Sequence, residues 1–253
     1  MRTPLILLCC TLTSSLQAAT VLEDWQLNDS NGTQMSALAN EAGSASFANN
    51  AANALANGAG DLVFSVGADA GDNIFRTSNL TNTNVSSGIF QLEFNFTSVN
   101  FQGGDQTGAN VGFGIRDTGS NTDIFIARIQ KQNDNYLLQT RVGTTNTNIA
   151  NLGSVPSNTL SNLNVRILFD LDTDLADVYW SLGGNPETAF NDVAINDLEM
   201  DAFRLAANTN TNDWGAGAGV SVDFVTLTAI PEPSSSALLG LGLTTLTLRR
   251  KRH

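Results

Sequence analysis

Hydrophobic and polar residues alternate with a period of two through much of the chain. In Gly88-Ile89-Phe90-Gln91-Leu92-Glu93-Phe94-Asn95-Phe96, the side chains of Phe90, Leu92, Phe94 and Phe96 fall on one side. Gln91, Glu93 and Asn95 fall on the other. Successive side chains of an extended strand point to opposite faces, so the pattern predicts a strand with one buried and one solvated face. Val165, Ile167, Phe169 and Leu171 repeat it against Arg166, Leu168, Asp170 and Asp172. Tyr136, Leu138, Thr140 and Val142 form a weaker version, as do Phe125, Ala127 and Ile129. Further strands are predicted at Leu62-Val66, Ile74-Thr77, Val111-Arg116, Ala176-Trp180, Leu198-Leu205 and Val220-Thr228.

Clusters of Asn, Gly, Asp and Thr punctuate these runs: Gly103-Gly104-Asp105, Asp117-Thr118-Gly119, Asn133-Asp134-Asn135, Gly183-Gly184-Asn185 and Asn208 to Asp213. Such residues accept the backbone angles of tight turns. Many short strands with no helices between them predict an all-β fold, an antiparallel sandwich. The Ala-rich stretch Gln34 to Leu55 contains enough Asn and Gly to predict loops and one short helix. No linker divides residues 20–229, which read as one sandwich domain.

The two ends differ from this body. Residues 1–19 carry Arg2, an apolar stretch from Leu5 to Leu16 and small residues at Ala18 and Ala19. That is the layout of a secretory signal peptide cleaved after Ala19, which predicts export and a signal peptidase as partner. Residues 230–253 carry Pro231 and Pro233, which stop a strand, then an uncharged, mainly apolar run from Ala237 to Leu248, then Arg249, Arg250, Lys251 and Arg252. Even counted from Ser234, this short predicted membrane helix is below the roughly 20 residues a spanning helix needs. Its basic cluster predicts a cytoplasmic end.

Composition sharpens the picture once it is divided. The chain of 253 residues has a net charge of -12, yet residues 20–230 hold 7 basic against 23 acidic side chains. Such an acidic body predicts no nucleic-acid partner. Cys9 and Cys10 are the only cysteines and His253 is the only histidine. The exported body therefore has no disulfide, no thiolate and no imidazole, which excludes Ser-His-Asp and Cys-His catalysis and multi-histidine metal centres.

Pro231-Glu232-Pro233, the apolar run and the terminal Arg249-Arg250-Lys251-Arg252 cluster resemble the PEP-CTERM protein-sorting signal of Gram-negative bacteria. The resemblance implies handling by an exosortase-type membrane protease. It further implies an inner-membrane intermediate that is then passed to the cell surface or extracellular matrix. The body is similar to the concanavalin A-like jelly-roll domains of the laminin-G-like sort. The likeness is carried by Trp25 with Asn31-Gly32-Thr33 to Asn40, by Val165-Arg166-Ile167-Leu168-Phe169-Asp170 to Val178-Tyr179-Trp180, and by Met200-Asp201-Ala202-Phe203-Arg204-Leu205. This resemblance implies binding of glycans or proteins, and in some relatives hydrolysis of polysaccharides.

Three candidate chemistries follow. Retaining glucanases of this fold carry Glu-x-Asp-x-x-Glu, whose two glutamates act as nucleophile and acid/base about 5 Å apart. The nearest text is Glu199-Met200-Asp201-Ala202-Phe203-Arg204, with Arg204 in place of the second glutamate. A guanidinium cannot donate a proton near neutral pH, so a non-catalytic protein is expected. Asp170, Asp172, Asp174 and Asp177 could converge on calcium, an oxygen-seeking cation, or could simply bond the amides of a hairpin turn. Trp214, in a loop-like Asn212-Asp213-Trp214-Gly215 context, and Trp25 are candidate glycan platforms; tryptophans in a sandwich otherwise belong to the core. The expected role is adhesion or association with an extracellular polymer. A lectin-like carbohydrate-binding module, a polysaccharide hydrolase and a purely structural surface protein are the alternatives.

Overall fold

The computed structural model describes residues 18–231 apart from 44, 49–50, 66–72, 81–84, 103–107, 156–158, 197, 209–213 and 216. Among the described residues the strands are β1 (Thr20–Trp25), β2 (Ala54–Ala56), β3 (Leu62–Ser65), β4 (Asn73–Asn79), β5 (Ile89–Asn100), β6 (Asn110–Asp117) and β7 (Thr122–Gln132). They continue with β8 (Asn135–Val142), β9 (Thr145–Ser154), β10 (Leu160–Asp170), β11 (Leu175–Leu182), β12 (Thr188–Ala194), β13 (Ala202–Asn208) and β14 (Gly219–Ile230). A single 3-10 turn at Met35–Ala37 is the helical element of the Ala-rich stretch. Of the two predicted end segments, only residues 18–19 and 230–231 lie among the described residues. No helix in that set is long and apolar enough to cross a membrane.

The strands form two antiparallel sheets. One has eight strands in the order β12-β11-β10-β5-β14-β3-β2, with β1 also pairing to β14; the other has six, in the order β4-β13-β6-β7-β8-β9. The fold is thus the predicted all-β sandwich. Phe90, Leu92, Phe94 and Phe96 of β5 are buried, as the alternation requires, and Val165, Ile167 and Phe169 of β10 join them. They meet the inner face of the smaller sheet: Phe94 packs on Phe113 at 5.0 Å between ring centroids, and Phe125 on Phe169 at 5.4 Å. Each such ring, taken out of water, contributes about 1.5–3 kcal/mol.

Local chemistry sets the turns and the register. β7 and β8 are joined through Asn133 and Asp134, both at positive φ, the mirror-image turn that matches strand twist. Gly183 and Gly184, also at positive φ, turn the chain at the end of β11, where Asn185 N bonds the Leu182 carbonyl at 3.2 Å. Along β14 the register shifts between Ser221 and Phe224, so Val220 and Val222 face the core before the bulge and Val225 and Leu227 after it. Asn40 ties itself to β1 and to Gly43. Its Oδ1 accepts from Asp24 N at 3.0 Å and Gly43 N at 2.9 Å, and its Nδ2 donates to the buried Glu23 at 2.5 Å. The strand predicted over Leu198-Leu205 starts later, at Ala202, because Met200 is drawn into an isolated bridge with Val85.

Candidate functional site on the six-stranded sheet

The outward face of the smaller sheet is where the acidic body turns basic. On β6 the core takes Val111, Phe113 and Ile115, which leaves Gly112, Gly114 and Arg116 pointing outward. The register sets Gly112 opposite Arg128, Gly114 opposite Ile126 and Arg116 opposite Asp123 on β7. On the other flank, Arg204 of β13 lies opposite Gly114, and Ala206 opposite Gly112. Arg141 of β8 stands opposite Ile126. Four of the seven basic residues of the body, Arg116, Arg128, Arg141 and Arg204, therefore share one face.

The two glycines are a packing necessity. A Cβ on Gly114 would lie 1.9 Å from the Phe125 carbonyl oxygen, and one on Gly112 would lie 2.2 Å from Arg128 Cβ. Here β6 approaches β7 too closely for any side chain, as strand glycines often permit. The arginines consequently flank a strip of bare backbone.

At the end of this strip the β6–β7 and β8–β9 turns enclose a cleft of about 300 Å³ lined by Arg116, Asn121, Thr122, Asp123, Arg141, Gly143, Thr144 and Arg204. Its single carboxylate, Asp123, is shared. Arg116 Nη1 lies 2.5 Å from Asp123 Oδ1, and Arg204 Nε lies 3.5 Å from the same oxygen. Arg116 also donates from Nη2 to the Asn121 carbonyl at 2.9 Å and to its side-chain oxygen, which ties the β6–β7 turn to the strand. Arg204 Nη1 donates to Thr77 Oγ1 at 3.0 Å. Arg141 bonds through Nε to the Gly143 carbonyl at 2.9 Å.

Next to the cleft, Arg128 is buried and gives both Nε and Nη2 to Gln139 Oε1, at 2.9 and 2.7 Å. An amide ladder continues from there: Gln139 Nε2 to Asn148 Oδ1 at 2.6 Å, and Asn148 Nδ2 to Gln132 Oε1 at 3.1 Å. Burial first, and the positive charge of Arg141 second, pull the Arg128 guanidinium down from its usual range to about 10, so it stays charged at neutral pH. Among the described residues neither Arg128 nor Arg141 has a carboxylate partner.

The candidates from the sequence lie elsewhere. Trp214 and Trp25 are 2% and 1% exposed, so neither can offer a ring to a sugar. Trp25 packs on Phe47 and Phe203 at 5.3 and 5.1 Å. Trp214 stacks edge-on against Phe101 at 5.1 Å and donates its indole N–H to the Asn208 carbonyl at 2.5 Å. A loop-like context suggests exposure for Trp214, but its ring is buried against Phe101 and its one polar atom is bonded to Asn208.

The aspartates of the β10–β11 hairpin behave as turn residues. Asp170 Oδ1 accepts from the amides of Asp172 and Thr173 at 3.0 and 3.2 Å. Asp172 Oδ2 takes the Gly88 amide at 3.1 Å, Asp177 Oδ1 takes the Asp192 amide at 2.9 Å, and Asp174 holds a positive φ. No three acidic side chains among the described residues converge on a metal-sized site. Glu199 is exposed, whereas Asp201 caps the β6–β7 turn by accepting from Thr118 N at 2.8 Å and from its hydroxyl. Arg204, the residue that interrupts the glucanase pattern, lines the cleft instead. Pro231 closes β14, and the remaining sorting-motif residues, Glu232, Pro233, Arg249, Arg250, Lys251 and Arg252, lie outside the described residues.

Residues 229–252 match the family model described as the PEP-CTERM protein-sorting motif. The tail is a sorting signal. It implies passage through a membrane-associated sorting step and processing by an exosortase, on the way to the surface of a Gram-negative cell. No curated protein matches the chain. The CBM2 module of the evolved Dit of Lactobacillus casei BL23 phage J-1 is a similar solved structure. Its TM-score is 0.50 at 10% identity, over 85% of this chain and 99% of that one. The endo-1,3-beta-glucanase of Streptomyces sioyaensis gives 0.46 at 15% identity, over 71% and 79%. A legume lectin-like domain from Entamoeba histolytica gives 0.43 at 9%, over 68% and 85%. Likeness at such identities concerns the fold, a sandwich of two antiparallel sheets, and leaves the site to be argued from its own residues.

The arginine face was not singled out from the sequence. Its signal was present in Gly112-Phe113-Gly114-Ile115-Arg116, where bare and basic positions alternate with core positions. The scarcity of basic residues in the body was a second sign. Only the strand order β13-β6-β7-β8 turns four separate arginines into one surface.

Proposed function

We propose that this exported protein binds polysaccharide at the cell surface or in the extracellular matrix without catalysis, using the outward face of its six-stranded sheet. The supporting observation is the cleft itself. Guanidinium, hydroxyl and amide groups line it, and the only acid there, Asp123, is held by Arg116 and Arg204. Glycosidic hydrolysis by the carboxylate-pair route needs two carboxylates facing one bond, and this lining supplies one that is already ion-paired. Binding is calcium-independent in this reading, because the hairpin aspartates bond backbone amides. A signal peptidase removes residues 1–19, and an exosortase processes the tail at Pro231-Glu232-Pro233 before the body reaches its polymer.

A glycan array probed with the purified protein, with and without a calcium chelator, tests this reading. Retained binding to polysaccharide on both arms, with no release of reducing ends, is the expected result. Binding lost on chelation would return the function to the aspartate hairpin, and sugar release would make the protein a hydrolase.

A further inference from the structure

The cleft holds more positive charge than its own acid can neutralise. Arg116, Arg141 and Arg204 converge there with Asp123, and Arg128 stands beside them. Two further acids at this end of the sheet are engaged with the turn. Asp117 accepts the Ser120 amide at 2.9 Å, and Asp201 accepts from Thr118. A body with 23 acidic and 7 basic side chains has ample carboxylates to pair every arginine, yet leaves Arg128 and Arg141 without one among the described residues.

Clustered guanidiniums repel one another, and partly buried charge is stable only when a counter-charge or hydrogen bonds compensate it. Arg128 is compensated by Gln139 and Arg141 by one carbonyl, bonded through Nε, while the Arg141 side chain lines the cleft. Guanidinium forks match planar or tetrahedral oxyanions in a bidentate way that a neutral hydroxyl cannot reproduce. A cleft of about 300 Å³ is at the small end of ligand sites and suits one charged ring of a longer chain.

We infer that the polymer is an anionic polysaccharide, whose carboxylate or sulfate oxyanion is gripped by Arg141 and Arg204 in the cleft. The amide ladder from Gln139 to Gln132 offers neutral hydrogen bonds to hydroxyls of neighbouring sugars. Overall acidity of the body then acts as a filter: polyanions are repelled everywhere except at this face, which fixes the docking site. The inference rests on the proposed polysaccharide binding and names the class of polymer.

Affinity electrophoresis of the purified protein through gels carrying polygalacturonate, its carboxyl-reduced form, a sulfated dextran or plain dextran separates the cases. Retardation by polygalacturonate or sulfated dextran and not by the two neutral polymers is expected, and whichever polyanion retards more identifies the oxyanion. Arg141→Gln is expected to weaken that binding by about tenfold or more, as loss of a charged hydrogen bond does, with an unchanged melting temperature. Arg128→Gln, at the cleft's flank, is expected to weaken it less. Equal retardation by neutral and charged polymers, or full binding by Arg141→Gln, would overturn the inference and leave polysaccharide binding standing. Retardation by none of the four would overturn both.

Discussion

Arg116 and Asp123 face each other across β6 and β7, 2.5 Å apart and each about nine-tenths buried. Arg204 reaches the same oxygen from the other side at 3.5 Å, so one carboxylate serves two guanidiniums. Asp123→Asn removes that shared counter-charge. Breaking a buried pair from one side leaves the other charge uncompensated, and a loss of about 3 kcal/mol in urea unfolding is expected. Affinity for an anionic polysaccharide should rise at the same time, since the cleft gains a net positive charge. A variant that loses both stability and polyanion affinity would contradict this arrangement.

Gly114→Ala tests the close approach of β6 to β7. The added methyl would sit 1.9 Å from the Phe125 carbonyl oxygen, inside any permitted contact. The strands must part locally, which is expected to lower stability by about 2–3 kcal/mol in chemical denaturation. Gly184→Ala offers a contrast, because an added Cβ there meets nothing within 4 Å and only the positive φ of 78° opposes it. Its expected loss is about 1 kcal/mol.

Trp214 and Trp25 belong to the core, so their substitution should act on folding. Trp214→Ala loses its packing on Phe101 and its bond to Asn208, and a destabilisation of about 3–5 kcal/mol is expected. In the native protein acrylamide should quench Trp180, which is partly exposed, ahead of the other two. Quenching of all three at one rate would contradict the burial described.

Asp223 gives a pH signature. Burial, and then the nearby charge of Asp61, raise its pKa above the ordinary carboxylate value. An acid whose folded pKa is raised destabilises the fold when ionised, and the penalty is fully present above the folded pKa. It disappears as the pH falls below the unfolded pKa. Asp223→Asn should therefore melt higher than the parent at neutral pH, with the gap closing as both are titrated to about pH 3. Glu187 has the opposite sign: its bond to Arg166 lowers its pKa, and that contribution is lost as the pH falls through the folded value. Glu187→Gln should show its small loss only above the acid range, since exposed pairs contribute about 1 kcal/mol or less.

What could be read from the chain depended on how deeply each strand is buried on one face. β5 and β10 alternate cleanly because they lie mid-sheet with one face against Phe113 and Phe125. β9 and β12 are sheet-edge strands whose residues are mostly exposed, and Thr145-Asn146-Thr147-Asn148 shows no apolar period to detect. The sorting tail was legible because it is a local motif, read without any fold. The arginine cleft was not, because Arg116, Arg141 and Arg204 are far apart in the chain and meet only through strand order. Trp214 misled for a related reason: polar neighbours describe a loop but not the direction in which its one large ring points.

The most direct measurement is hydrogen–deuterium exchange of the purified protein with and without polygalacturonate. Slowed exchange is expected only in the β6–β7 turn around Asn121 to Asp123, the β8–β9 turn at Gly143 and Thr144, and β13 near Arg204. Protection confined to the eight-stranded sheet, or to the Asp170 to Asp177 hairpin, would contradict it.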